Sequence, residues 1–270
     1  MDMDGLARDG LVLLGCGKMG TALLTGWLAA GLPAASVWVV EPNPSDWLNA
    51  TGAHVNQPLP KAPAVALVAV KPQMMGAALP ALQALGNGAT LFISIAAGTP
   101  IAAFEAALGH NTPIVRTMPN TPAMVGRGIT GICGNASAGA AGLALTRSLM
   151  LAVGQVVELD GEHQIDAVTA VSGSGPAYVF HLIEAMAAAG EAEGLSPAVA
   201  MQLARATVCG AGELAFRATE SAAQLRINVT SPAGTTAAAL ALLMDPDTGL
   251  APLMCRAVHA AALRGRELGK

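Results

Sequence analysis

The chain has 270 residues, enough for one large domain or two; 53 % are hydrophobic and only 3 % aromatic, so Ala, Leu and Val must fill the core. A net charge of −4 offers no general attraction for nucleic acid or an acidic membrane surface. The longest uncharged run, Pro72–Phe104, is broken by Pro80, Pro100 and several Gly and Asn residues, so no membrane span is expected. The opening MDMDGLARDG is acidic and polar, unlike a secretory signal. Cys16, Cys133, Cys209 and Cys255 lie far apart, which reads as reduced thiols of a cytoplasmic protein, and the scattered His residues predict no metal site.

Leu11–Leu14 reads as a short strand, followed at once by GCGKMG (Gly15–Gly20) and a helix to about Ala30. Strand, glycine turn, helix is the context that a dinucleotide-binding GxGxxG requires. Gly15 permits the tight turn, Gly17 lets backbone approach a pyrophosphate, and Gly20 lets helix and strand pack closely. A second strand, Val37–Val40, ends in Glu41, where an acid grips a ribose 2′-hydroxyl. No Lys or Arg lies between Lys18 and Lys61, which favours NADH over NADPH; Asn43 and Ser45, with loop N–H groups, offer a 2′-phosphate a holder without a cation. Both cofactors stay open at this point.

Further strands are expected at Ala64–Val70, Ala89–Ile95, Pro113–Arg116, near Ile129–Cys133 and at Gln155–Leu159, with an Ala-rich helix from about Ser137. The alternation predicts an α/β fold over residues 1–160: a Rossmann-type parallel sheet with helices on both faces. Ligands lie at the carboxyl ends of such strands, so Glu41, Lys71, Ala97 and Asn120 should rim one crevice. Lys71 reads equally as a cofactor contact or a solvated strand-end charge. Asn120 reads as an amide contact to nicotinamide or ribose, or as a turn former.

Past Asp160 the strand pattern stops, and residues 161–270 read as an all-helical domain with helices at His163–Val171, Pro176–Gly194, Pro197–Arg217 and Gly249–Leu268. The helices from Pro176 and Pro197 are apolar nearly all round, which predicts burial on more than one side and a second subunit to supply it. Between the first two helices, Ser172–Pro176 is a small turn that forms either a second wall of a substrate site, with Ser174, or a tight crossing. His181 and Glu184 share a helix face and read as a solvated or interface pair. In Leu225–Asp245 the first half is expected to be irregular, because Pro232 and Gly234 break any period and Asn228, Thr230 and Ser231 favour turns. A helix begins at Thr235. Unpaired N–H groups and the positive dipole end favour an anion there, and Ser231, Thr235 and Thr236 add hydroxyls. The stretch is either a cradle for a small carboxylate or a plain helix cap.

Six stretches together resemble the Δ1-pyrroline-5-carboxylate reductase family: GCGKMG, VAVKPQ (Val68–Gln73), SIAAG (Ser94–Gly98), RTMPNTP (Arg116–Pro122), DAVTAVSGSGPAY (Asp166–Tyr178) and VTSPAGTT (Val229–Thr236). They run in order from about residue 11 to the end, and the last two are the most specific. The resemblance implies reduction of pyrroline-5-carboxylate to L-proline, the last step of proline biosynthesis. It also implies an N-terminal Rossmann domain and a helical domain that interlocks with its twin in a homodimer or larger homo-oligomer. On that resemblance Ser231, Gly234, Thr235 and Thr236, with Ser174, line the substrate, and Thr236 hydrogen-bonds the ring nitrogen as the catalytic residue. The cofactor would be lined by Gly15, Cys16, Gly17, Lys18, Met19, Gly20, Glu41, Asn43, Ser45, Ala69, Val70, Lys71, Pro72, Ala96, Ala97 and Asn120, with the last two beside the nicotinamide. Two positions depart from the family's habit. Ala233 stands where a glycine is common, and Glu41 stands where many relatives have an uncharged residue near the 2′-phosphate.

The chemistry is an independent check. Hydride addition to a ketone leaves an alkoxide and calls for a cation or acid beside the oxygen. After Lys71 the only lysine is the terminal Lys270. A protonated cyclic imine is already an electrophile and gives a neutral amine, so it needs orientation more than a strong acid. The other readings are a reductase for a different cyclic imino acid or small keto acid, and a non-catalytic dinucleotide sensor.

Overall fold

The runs LVLL and VALV contain no polar side chain, and LFIS ends in its only one, so as strands they must be covered on both faces. The computed structural model describes residues 3–269, with side chains from residue 5, and puts these runs inside one eight-stranded sheet. The strands are β1 (Leu11–Leu14), β2 (Val37–Val40), β3 (His54–Val55), β4 (Val65–Val68), β5 (Leu91–Ser94), β6 (Ile114–Met118), β7 (Gly128–Gly134) and β8 (Gly154–Glu158). Their spatial order is β3-β2-β1-β4-β5-β6-β7-β8.

Strand alternation divides the core in two. Leu11 and Leu13 face one layer with Leu23, Leu24, Trp27, Leu149 and Met150; Val12 and Leu14 face the other with Leu82, Phe104, Leu108 and Ile165. Trp27 is fully buried and donates its indole N–H to Leu149 O at 2.9 Å, which ties the helix Lys18–Ala29 to the helix Gly139–Leu151.

The sheet departs from the expected all-parallel arrangement at one pairing: β7 runs antiparallel to β6, with Met118 opposite Gly131, while every other pairing is parallel. The chain leaves β6 into a short 3₁₀ turn, Thr121–Val125, and Gly126 reverses it in the left-handed region at φ +68°. A connection with no crossover helix can join only antiparallel neighbours. Strand β3 was not foreseen, being two residues long.

By contacts the chain forms two compact units. One runs to Gly173 and resumes at Ala261; the other is Ser174–Ala260. The division expected after residue 160 therefore differs from the compact boundary, because Ile165 and Val168 belong to the sheet's second core layer. The helix expected at His163–Val171 is three windings instead: a 3₁₀ turn Glu162–Gln164, an α-turn Ile165–Val168 and a wider π-turn Thr169–Gly173. Hydroxyls explain the loosening, since Thr169 Oγ1 donates to Ile165 O at 2.8 Å and Ser172 Oγ to Val168 O at 3.0 Å.

The second unit is helical: Gly175–Ala192, Pro197–Arg217, Ala222–Asn228, Thr235–Leu243 and the start of Leu250–Leu268. Its own core is Ala187, Ala200 and Ala204, with Ile183 against them. Val179, Phe180, Leu182, Leu203 and Leu214 are exposed, so the expected burial on more than one side is not met within the chain. His181 Nδ1 and Glu184 Oε2 lie 3.2 Å apart, exposed in the single chain, as a solvated or interface pair would be. Residues 225–228, expected to be irregular, are helical: Ser221 Oγ caps the helix Ala222–Asn228 by accepting Gln224 N–H at 3.2 Å. Among the described residues no helix is long and apolar enough to cross a membrane.

Candidate active site

The glycine turn after β1 is shaped by close contacts. Gly15 has φ +90°, and a side chain there would meet Ala69 O at 3.0 Å and the Val70 side chain at 2.9 Å. A Cβ on Gly20 would lie 2.6 Å from Gly15 O, so only glycine lets the helix start against the turn. Gly17 faces open space, with nothing within 4 Å of a Cβ built on it. The turn, residues 69–70 and the end of β2 thus come together, with Gly17 and Lys18 exposed and Cys16 and Met19 half-buried. Burial pushes the Cys16 thiol up from its ordinary value, against a smaller lowering by the Thr21 hydroxyl.

Glu41 reaches back to this turn. One carboxylate oxygen accepts Cys16 N–H at 2.8 Å and the other accepts Asn43 N–H at 3.1 Å. Asn56, in the left-handed region at φ +52°, fixes the Glu41 backbone: its Oδ1 accepts Glu41 N–H at 3.0 Å and its Nδ2 donates to Glu41 O at 2.8 Å. Sequence reasoning missed Asn56, whose one signal is an Asn directly after the short β-branched step at Val55. Ser45 Oγ accepts Leu48 N–H at 3.2 Å as a helix cap. Lys71 is exposed and precedes the 3₁₀ turn Pro72–Met74.

At the end of β5, Ala96 is buried and Ala97 half-buried; Ser94 Oγ accepts Ala96 N–H at 3.2 Å. Asn120 stands beyond β6, but both ends of its amide are engaged inside the fold. Its Nδ2 donates to Ser172 O at 3.1 Å and its Oδ1 accepts Ile129 N–H at 2.9 Å. Asn120 thereby cross-links the β6–β7 turn to the π-turn, and one N–H of its amide has no partner in these two bonds.

The second unit carries the hydroxyl turn. Gly234 is the N-cap of the helix Thr235–Leu243 and donates its N–H to Ser231 O at 3.1 Å. No side chain caps this helix from that position, so its first N–H groups stay available. Ser231 and Thr235 are exposed and Thr236 half-buried. A side chain on Gly234 would overlap Ser231 Oγ. Ala233 adopts φ +55°, a conformation that suits glycine better. Ser174 is half-buried at the N-cap of the helix Gly175–Ala192, with no capping bond from its side chain.

Residues 11–98 match the family described as NADP oxidoreductase, coenzyme F420-dependent, and residues 162–268 match pyrroline-5-carboxylate reductase dimerisation. The pyrroline-5-carboxylate reductase of Pseudomonas aeruginosa is 41 % identical over 266 residues, covering 96 % of this chain and 97 % of the relative. The chain belongs to the pyrroline-5-carboxylate reductase family. Within that family, the solved reductase of Coxiella burnetii is similar at 34 % identity and a TM-score of 0.88, covering 97 % of this chain and 99 % of that one. The pyrroline carboxylate reductase of Plasmodium falciparum, solved with NADP bound, follows at 29 % identity and a TM-score of 0.83, with the same coverage.

Proposed function

We propose that this chain reduces Δ1-pyrroline-5-carboxylate to L-proline, with the hydride delivered to the ring imine carbon. The observation that carries the reading is the uncapped N-terminus of the helix Thr235–Leu243, surrounded by Ser231, Thr235 and Thr236. Its N–H groups and dipole hold the substrate carboxylate, with Ser231 and Thr235 as further donors. Thr236 hydrogen-bonds the ring nitrogen and so sets which face of the imine carbon is presented. Ser174 forms a second wall. A bound nicotinamide nucleotide supplies the hydride. The glycine turn fits such a group, because Gly17 faces open space and Gly20 admits the helix N-terminus close behind it. The second unit, Ser174–Ala260, contains no lysine to serve as an acid, in keeping with an imine substrate.

Thr236→Ala should lower kcat/KM for pyrroline-5-carboxylate by about 100-fold. Normal turnover and normal substrate KM in that variant would remove Thr236 from the mechanism.

For the cofactor, we propose that Glu41 disfavours a 2′-phosphate and that NADH is the better donor. The carboxylate is already oriented by Cys16 N–H and Asn43 N–H, and no Lys or Arg lies between Lys18 and Lys61 to offset it. Glu41→Ser should raise the NADPH-to-NADH ratio of kcat/KM by about tenfold, since a like-charge repulsion of 1.4 kcal/mol is removed. An unchanged ratio would contradict this. The enzyme works as a cytoplasmic homodimer joined through the second unit, whose exposed apolar helices need a partner.

A further inference from the structure

The turn that leaves β5, residues 96–98, is gripped from two sides by groups outside the glycine turn. On one side stands Glu162, whose Oε1 accepts Ile101 N–H at 2.8 Å and Arg116 Nη1 at 2.7 Å. Ile101 opens the helix Ile101–Leu108, whose N-cap Pro100 has no side-chain acceptor of its own. Arg116 comes from β6, and its side chain is only 7 % exposed. On the other side the helix Leu250–Leu268 ends against Gly98. That glycine has φ +72°, and a Cβ added to it would lie 3.0 Å from Leu268 O. Between the two grips is a cavity of about 310 Å³ lined by Pro100, Arg116, Glu162, Asp166 and Arg266.

The strand order decides what this turn serves. A dinucleotide laid along the carboxyl edge of such a sheet, with its adenosine end at β2, has its nicotinamide end over β4, β5 and β6. The adenosine and pyrophosphate end is held by the glycine turn and Glu41, which share no hydrogen bond with Glu162, Arg116 or Ile101. Among the described residues Arg116 Nε is buried without a partner and Glu162 is the one carboxylate paired with the guanidinium, so losing it leaves a buried charge uncompensated. The segment carrying Ala97 would then shift, while the far half of the crevice would not.

We infer that Glu162 is a positioning residue for the nicotinamide end of the cofactor: through Ile101 and Arg116 it fixes the turn on which Ala97 stands. The inference rests on the reading of the sheet unit as a nicotinamide-nucleotide site, not on the identity of the imine.

The test compares NADH with ADP-ribose, which keeps the adenosine half and lacks the nicotinamide, by calorimetric titration of the full chain. In Glu162→Ala, NADH affinity should fall about tenfold while ADP-ribose affinity changes less than about twofold. Glu162→Gln still accepts from Ile101 but leaves the Arg116 charge uncompensated, so it should recover only part of the loss. Gly98→Ala, which disturbs the other grip, should show the same selective weakening. If both ligands weaken in parallel, the pair only supports the fold; if neither weakens, the turn does not hold the nicotinamide; either result overturns the inference. Should Glu162→Ala fail to fold, Gly98→Ala and Glu162→Gln decide by the same ratio. A wild-type chain that binds NADH without reducing pyrroline-5-carboxylate would defeat the proposed reaction and leave this comparison intact.

Discussion

The sheet unit and the helical unit draw on the same Ala- and Leu-rich alphabet and bury it to very different degrees. In the sheet unit Trp27, Phe92 and Phe104 are closed off from solvent, and whole strands are covered on both faces. In the helical unit three alanines make up the core, while Phe180 is 61 % exposed and Leu242 77 %. Small side chains allow helices to approach closely, but they bury little area, on the order of 25 cal/mol for each Å² removed from water. The first unit is a finished fold. The second presents half of a core, and an apolar surface of that extent on a polar background marks an association site. The match of residues 162–268 to a dimerisation family fits that division.

The sheet core depends most on Trp27. Trp27→Ala should destabilise the protein by about 3–5 kcal/mol, because the cavity cannot collapse and Leu149 O loses the shorter of its two donors. Denaturant midpoints would show it, and a shift below about 1 kcal/mol would mean that the sheet core is far looser than its burial indicates. The opposite behaviour is expected of Phe180 and Leu203. The double variant Phe180→Asp, Leu203→Asp leaves a single chain's packing almost untouched and should weaken self-association at least about 100-fold, near 3 kcal/mol. Sedimentation would then report monomers with unchanged helix content. An intact dimer would show that these faces are not the interface.

The same contrast explains what could be read from the residues. Continuous apolar runs such as Leu11–Leu14 and Val65–Val68 announce buried strands, and the glycine turn announces a nucleotide because each glycine answers a distinct steric demand. The direction of β7 was not legible, since it depends on how a ten-residue-scale connection folds and not on the strand's own residues. The helix Ala222–Asn228 escaped because it is short and ends in Asn, a residue that favours turns. The backbone partners of Asn120 and Glu41 escaped for another reason. An amide or carboxylate at a strand end reads the same whichever backbone group it meets, and only the fold shows that Asn120 accepts Ile129 N–H and Glu41 accepts Cys16 N–H.

A buried thiol makes the stability of the sheet unit depend on pH. Cys133 on β7 is buried in the sheet unit, and burial pushes it up from 9.0 to about 11, with Glu162 adding to the rise and Arg116 opposing it. The folded state holds this proton more tightly than the unfolded state, so the contribution to stability is fully present below pH 9 and is lost as pH rises towards 11. The loss should reach about 2–3 kcal/mol and disappear in Cys133→Ala when each is measured against its own value at pH 8. Equal pH slopes for the two proteins above pH 9 would contradict the assignment.

The smallest expected effect lies in the unfinished unit, at Ala233. Its φ of +55° places a methyl group close to the backbone in a conformation that glycine adopts freely, and the residue sits within the hydroxyl turn that precedes Gly234. Ala233→Gly removes that strain, worth about 1 kcal/mol, and returns part of it as extra freedom of the unfolded chain, so the net gain in stability should be only about 0.5 kcal/mol. Activity is the more informative readout. If the strain holds Ser231 and Thr236 in their working arrangement, relaxing the turn raises KM for the imino acid while the melting temperature stays level or rises. If the strain is incidental, KM is unchanged and only the small stabilisation remains. A fall in both stability and affinity would mean that Ala233 makes a contact that glycine cannot, and would point to a partner for the exposed methyl group in the assembled dimer.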